Sequence, residues 1–334
     1  MERKNTWHSY TEEDIEKLES LASDYKEYLT GGKTERECVK ESVKLAQRAG
    51  YEDLEHFIAE NKQLKPGDKV YRTWMDKTIV LFQIGEKPME DGLNILGAHI
   101  DSPRMDLKQN PLYEDTEMVL LDTHYYGGVK KYQWVTLPLA LHGVVIKKDG
   151  TTIEISIGEK DTDPVVGVTD LLIHLSAQQL EKKAKVVIEG EDLNVLIGSR
   201  PVKGEEKDAV KKEMLRILEQ EYGIEEEDFL SAEIEVVPAG PARDFGLDRS
   251  MIMSYGQDDR VCAYTSLAAM LNVQDARRTT CCILVDKEEI GSVGATGMHS
   301  RFFENTLAEI IALTGEYSEL RLRRILQNSH MLSM

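Results

Sequence analysis

The sequence contains few cysteines, and their arrangement argues against both a disulfide framework and a cysteine metal site. Its 334 residues include four, Cys38, Cys262, Cys281 and Cys282, and none has C-x-x-C spacing. Cys281 and Cys282 are adjacent within an apolar segment. Neighbouring side chains of a strand point to opposite faces, so we expect no bridge between them. We interpret all four as small buried apolar residues.

Long apolar runs and an excess of basic residues are also missing. No stretch approaches the length of a membrane-spanning helix, and residues 1–6 lack the apolar core of a secretion signal. The chain has 41 Lys and Arg against 60 Asp and Glu, which gives a formal net charge of −19. An acidic surface repels phosphate backbones and anionic lipids. We therefore expect a cytoplasmic protein that binds neither nucleic acid nor membranes.

The first hundred residues combine helical and strand periodicity. Residues 15–29 carry apolar side chains at helical spacing, after a capping Thr11 and before a stop at Gly31 and Gly32, and a second amphipathic helix is predicted over 34–47. Residues 78–82 and 93–98 are short apolar runs, as found in strands buried on both faces. This pattern predicts an α/β domain that begins with two helices.

The middle of the chain has a different pattern. A hairpin signal at 148–150 separates two apolar segments, and helices are predicted at 170–183 and 205–222. After Pro241 the buried α/β pattern returns, with a helix at 261–271, a strand at 281–285 and a helix at 305–326. The length exceeds that of a typical single core, which favours two domains. We predict an α/β domain split into 1–110 and 241–334, with a β-rich domain, 111–240, inserted between its parts.

Three polar clusters each follow one of the apolar strands of the α/β domain. They are His99-x-Asp101, Asp258-Asp259 and Glu288-Glu289. In open α/β sheets, ligands bind beyond the carboxyl ends of the strands, and an imidazole with several carboxylates is a typical ligand set for zinc. Taken singly, each cluster also fits a hydrogen-bonded loop, a helix cap or a solvated charge pair. Burying adjacent carboxylates costs several kcal/mol unless something compensates, and a metal ion would do so.

The order of four motifs resembles that of the aspartyl aminopeptidase family. The motifs are HIDSP at 99–103, YGG at 126–128, GQDDR at 256–260 and DKEEIGS at 286–292. Members of this family are dinuclear zinc exopeptidases and include yeast vacuolar aminopeptidase I. The resemblance runs from the first helix to the last residue. It implies a zinc-exopeptidase-like α/β/α sandwich with an inserted β-rich dimerisation domain.

The resemblance implies a role for each matching polar residue. His99 would bind one zinc ion, Asp258 would bridge both ions, and Glu289 would bind the other. Glu288 would be the general base that takes a proton from the bridging water, and Asp101 would hydrogen-bond His99 and fix its tautomer. Two metals lower the pKa of a shared water and polarise the scissile carbonyl. The implied enzyme is a metallo-aminopeptidase that removes N-terminal residues from peptides, with Co²⁺ or Mn²⁺ as alternatives to zinc.

The resemblance also implies a homo-oligomer, from dimer to dodecamer, in which the inserted domain helps to close a neighbouring active site. Many members place a His from that domain in the partner's site. Asp170 or His174 lies near this position, although His174 also fits a histidine packed on a helix face. Trp134 is not followed by the Asp-Arg pair of many members, so the chain is closer to the bacterial branch that resembles aminopeptidase I.

Family members typically run longer, and two further metal ligands, an Asp and a late His, lie in that additional part. His330 is not expected to replace them. Two protein ligands for each ion make a weak site, so we expect this chain to have little or no peptidase activity. Two alternatives stay open: a catalytically dead structural subunit, and a related two-metal amidohydrolase such as a deacylase.

Overall fold

A computed structural model describes residues 4–333; residues 1–3 and 334 lie outside the described part. The α-helices are α1 Glu12–Gly31, α2 Glu35–Arg48, α3 Leu54–Glu60, α4 Ala177–Leu180, α5 Ala209–Tyr222, α6 Gln257–Leu271, α7 Phe302–Thr314 and α8 Glu319–Asn328. The strands are β1 Glu52–Asp53, β2 Lys69–Trp74, β3 Thr78–Gln83, β4 Asn94–His99, β5 Arg104–Asp115, β6 Met118–Tyr126, β7 Leu139–Ile146, β8 Thr152–Ile157, β9 Val195–Gly198, β10 Ala232–Pro238, β11 Arg243–Phe245, β12 Met251–Met253, β13 Thr280–Val285 and β14 His330–Ser333.

The described chain forms two compact units. The first comprises residues 4–101 and 241–333, and the second comprises 102–240. The sequence placed the start of the insertion at 111. The second unit also contains residues 102–110, because β5 begins at Arg104 and pairs within the sheet of that unit.

The first unit is built on a six-stranded mixed sheet in the order β1-β2-β3-β13-β4-β14. Side chains alternate between the two faces, so each face has its own core. Helices α3, α7 and α8 supply buried residues to one face, and α1, α2 and α6 supply them to the other. Adjacent Cys281 and Cys282 belong to opposite cores, and both are buried free thiols. The predicted α/β class is confirmed.

Local capping explains where the first two helices begin. Thr11 accepts the backbone N–H of Asp14, and Asp14 accepts that of Thr11, a reciprocal capping box at the start of α1. Thr34 and Glu37 form the same arrangement at α2. These contacts satisfy amides that a helix start leaves without intrahelical partners. Both predicted helices are therefore confirmed to within one residue at each end.

The second unit contains a six-stranded sheet in the order β8-β7-β10-β5-β6-β9, and its adjacent strands pair antiparallel. The predicted hairpin joins β7 to β8, where the N–H of Lys147 donates to the carbonyl of Thr151 at 2.8 Å. Gly150 has a φ of +87°, which a glycine adopts without the penalty of a side chain. The hairpin predicted at 148–150 is therefore confirmed.

Two predicted helices are wrong in extent. The helix expected over 305–326 is divided into α7 and α8, because Gly315 has an extended backbone and cannot continue a helix. Of the helix expected over 170–183, only α4 forms. The apolar residues at the start of the predicted segment, 171–175, are more than half exposed, so they do not supply the buried face that their spacing suggested.

In residues 4–333, no helix has the length and apolar character needed to cross a membrane.

Candidate metal centre

The edge of the first unit's sheet brings together two of the three polar clusters. His99 is the last residue of β4, and its backbone lies beside that of Val285, the last residue of β13. The two strands run parallel, so both end at the same edge. The chain leaving β13 therefore carries its acids past His99. A one-turn 3₁₀ helix, Glu288–Ile290, follows immediately.

A hydrogen bond to Asp101 sets the orientation and tautomer of the His99 ring. Nδ1 of His99 lies 2.9 Å from the backbone oxygen of Asp101 and 3.3 Å from its Oδ1. A carbonyl oxygen only accepts, so Nδ1 carries a proton, and Nε2 is the ligand atom of the neutral ring. Burial lowers the pKa of His99, but the hydrogen bonds and charge of Asp101, aided by Glu288, outweigh it and raise the pKa to about 9.

The carboxylate of Asp101 also holds the turn that carries the paired glutamates. Its two oxygens accept the backbone N–H groups of Glu288 at 3.2 Å and Glu289 at 3.1 Å. Asp101 is fully buried, and these charge-assisted hydrogen bonds offset the cost of removing its charge from water. One side chain thus fixes both His99 and the glutamate turn. This contact to the turn was not foreseen from the sequence.

Asp258 reaches the same place from the start of α6. The backbone there is irregular, with Gly256 in the left-handed region and Asp258 outside helical angles. The Asp258 side chain is exposed, and its Oδ1 lies 3.4 Å from Nε2 of His99. The carboxylate of Glu288 approaches the same nitrogen at 3.6 Å. Two carboxylates therefore converge on Nε2, the ring nitrogen that would bind a metal.

His99, Asp258 and Glu289 form a group of side chains that could hold a metal ion. Single ligand atoms from His99, Asp258 and Glu289 all lie within 4.8 Å of one another. A tetrahedral zinc ion with bonds of about 2.1 Å separates its ligand atoms by about 3.4 Å. The separation between His99 Nε2 and Asp258 Oδ1 has that value. One imidazole and two carboxylates are also donors that zinc accepts, so the residues present fit this metal.

Asp286 also stabilises the glutamate turn. This role was not predicted from the sequence. The fully buried carboxylate accepts the backbone N–H of Lys287 at 2.7 Å and the hydroxyl of Thr296 at 2.6 Å. Burial and the charge of Glu35 raise the pKa of Asp286 to about 6, against the opposing effects of Lys77, Thr296 and Lys287. The position of Asp286 directly after the buried strand β13 was the sequence signal that could have indicated this role.

The remaining candidates are not among the residues of this cluster. Asp170 and His174 are in the second unit and are exposed. The interpretation of His174 as a packed helix-face residue is wrong, because no helix forms there. His330 pairs with Asn94, the first residue of β4, whereas His99 is the last. It therefore lies at the opposite end of the strand from the ligand cluster, as expected of a residue that does not replace a missing ligand.

Comparison with known proteins identifies the family of this chain. The family described as aminopeptidase I zinc metalloprotease (M18) matches residues 28–334. This chain belongs to the M18 family. A probable M18 family aminopeptidase 1 from Clostridium acetobutylicum is 59% identical over 333 residues, which cover 99% of this chain and 72% of the relative. The family resemblance inferred from the motifs, and the zinc-dependent aminopeptidase class that it implied, are confirmed.

Solved structures of family members match the fold. The crystal structure of an M18-family aminopeptidase from Thermotoga maritima is 45% identical, with a TM-score of 0.93, over 100% of this chain and 72% of that chain. A dodecamer of yeast aminopeptidase 1 matches with a TM-score of 0.72 over 94% of this chain and 71% of that chain. At 18% identity, the yeast structure shows a shared fold alone.

The pKa of His99 makes zinc affinity depend on pH. In the metal-free protein the ring holds a proton up to about pH 9, and zinc must displace it from Nε2. We expect the apparent affinity to rise about tenfold per pH unit from pH 6.5 and to level off near pH 9. Competition with a zinc-buffering chelator measures this.

The exposed His56 provides a control, since His56→Gln should leave the pH profile unchanged. An affinity that stops rising above pH 6.5 would show that His99 titrates like an unperturbed histidine, and the expectation would then be wrong.

Proposed function

We propose that this chain carries the zinc centre of an aminopeptidase acting on peptides, with His99, Asp258 and Glu289 as metal ligands. The convergence of these three ligand atoms within 4.8 Å, in a member of the M18 family, carries the proposal. Zinc, when bound, polarises the scissile carbonyl and lowers the pKa of water. The remaining tasks fall to the side chains around it.

Glu288 is the proposed general base. Its carboxylate is about half exposed and lies near the ligand cluster, while its own backbone N–H is held by Asp101. When the backbone of a glutamate is held and its carboxylate stays open to solvent, the carboxylate can take a proton from the attacking water and deliver it to the leaving amine. Glu289, the next residue, offers one of the three ligand atoms of the cluster. Adjacent glutamates thereby receive different tasks.

Substitution of each glutamate separates these tasks. We expect Glu289→Gln to weaken zinc binding by at least about tenfold, because it removes a ligand charge, and Glu288→Gln to change it by less than about threefold. Chelator competition at fixed pH measures both affinities. The two variants are a matched pair, since they make the same chemical change at neighbouring positions. Equal losses would contradict the assignment of ligand and base.

A two-ion centre needs more than the ligands proposed here. With Asp258 bridging, each ion would receive two protein ligands from these three residues, whereas catalytic zinc sites typically have three. We therefore expect the 334-residue polypeptide to bind clearly fewer than two equivalents of zinc and to release N-terminal residues slowly or not at all. Elemental analysis and a peptidase assay with added zinc or cobalt test this, with the Clostridium acetobutylicum relative as reference.

Two equivalents of zinc with turnover equal to that of the relative would contradict this expectation. Any hydrolysis that does occur should require a free α-amino group, so a peptide acetylated at its N-terminus should be inert. Cleavage of the acetylated peptide would instead favour an amidohydrolase or deacylase. Complete inactivity without zinc binding would favour a structural subunit.

We further propose that the second unit mediates homo-oligomerisation. Four aliphatic residues at 171–175 are more than half exposed: Leu171, Leu172, Ile173 and Leu175. A contiguous exposed apolar segment on a soluble domain is typical of a protein interface. The dodecamer known for the yeast fold relative gives this proposal a precedent. The exposed His174 would then enter the interface with its neighbours.

Charge introduced into this segment should weaken the assembly. We expect Ile173→Glu with Leu175→Glu to lower the molar mass in solution, because buried carboxylates at an interface are costly. Size-exclusion chromatography with light scattering measures the mass. Leu320→Glu, at a similarly exposed leucine of α8 in the first unit, is the control and should not change it. An unchanged mass for the double variant would contradict the proposal.

A further inference from the structure

Arg260 is a buried cation that links two of the segments carrying proposed metal ligands. It lies two residues after Asp258 on α6 and is 1% exposed. Its Nε donates to the backbone carbonyl of Ile100 at 3.1 Å, and its Nη2 donates to that of Lys33 at 3.0 Å. Ile100 lies between His99 and Asp101. The guanidinium thus joins the start of α6 to the end of β4.

The space around the guanidinium is shaped for it. Its Cζ lies 5.2 Å from the centre of the Tyr255 ring, a cation–π distance. A Cβ added at Gly256 would lie 2.3 Å from Nη1, and Gly256 has a φ of +77°. Two independent constraints, the backbone angle and the close approach of Arg260, therefore favour glycine at this position. The loop before α6 and the arginine fit each other.

The type of side chain matters as well as its charge. Arginine presents several donors in a rigid planar fork, so it can reach two carbonyls on separate segments at once. Lysine has a single flexible ammonium group and cannot reproduce that span. Within the described residues, Nη1 is buried and has no hydrogen-bond partner. Retaining a buried charge with one unsatisfied donor is costly, which favours a role beyond filling the core.

Successive hydrogen bonds connect Arg260 to the proposed metal ligands. Arg260 holds the Ile100 carbonyl, and the next residue, Asp101, holds the His99 ring. The same Asp101 carboxylate holds the amides of Glu288 and Glu289. Asp258 is attached to Arg260 through the backbone. A shift of the guanidinium would therefore change the separation between Asp258 and the other ligands.

We propose that Arg260 is a positioning residue that sets the geometry of the metal ligands without contacting the reacting atoms. This inference rests on the proposed zinc centre. A second layer of contacts around metal ligands commonly governs metal affinity, and loss of one such contact weakens binding by about 10–100-fold.

The test compares zinc affinity in the 334-residue chain carrying Arg260→Met or Arg260→Lys. Methionine keeps the apolar volume but removes all donors, so we expect affinity to fall about 10–100-fold. Lysine keeps the charge but not the fork, so its affinity should be intermediate. Leu267→Ala is the control: Leu267 is fully buried on the same helix, and its truncation should lower stability without changing zinc affinity beyond about twofold.

Hydrogen–deuterium exchange of the metal-free chain supplies a second readout. Arg260→Met should speed amide exchange in the glutamate turn, 286–291, while Leu267→Ala should not. Zinc affinity and exchange in the Arg260 variants equal to those of the Leu267 control would overturn the inference, even if Arg260→Met alone failed to fold, because Arg260→Lys still decides. No zinc binding by the unaltered chain would instead overturn the proposed zinc centre.

Discussion

Parallel pairing of β4 with β13 is the constraint on which the candidate site depends. The pairing sets Val285 beside His99, so the chain leaving each strand enters the same edge of the sheet. Cores on both faces hold this pairing, since alternate residues of β13 pack into opposite clusters. A slip by one residue would exchange the two faces and bury the wrong side chains. The position of the glutamate turn is therefore set by packing of the whole sheet.

Buried carboxylates then convert that edge into a rigid frame. Asp101 and Asp286 are both fully buried; Asp101 accepts the backbone N–H groups of Glu288 and Glu289, and Asp286 accepts that of Lys287. Such hydrogen bonds compensate for the desolvation of the charges, so the frame is stable although it is acidic. The proposed base Glu288 differs from them because its carboxylate remains open to solvent. A fixed backbone with an accessible carboxylate suits proton transfer.

Apolar sequence patterns predicted burial well in the first unit and less well in the second. In the first unit, apolar residues at strand or helix spacing are buried against the sheet, and the predicted elements form except that one helix is divided at Gly315. In the second, the apolar residues at 171–175 resemble a helix face but are exposed and irregular. Periodicity indicates which side chains need burial and leaves open what covers them. A partner surface satisfies that need as well as a helix would.

The sequence by itself determined the α/β class, the capped first helices and the polar clusters at strand ends, because short-range spacing encodes these features. Thr11 and the run 281–285 could each be interpreted from their neighbours alone, and Glu288-Glu289 from its place among the three clusters. Only the tertiary structure decided that Asp101 binds the amides of the glutamate turn and that Arg260 reaches Ile100. These contacts join residues far apart in the chain, so they depend on sheet register and helix packing, which local spacing does not specify.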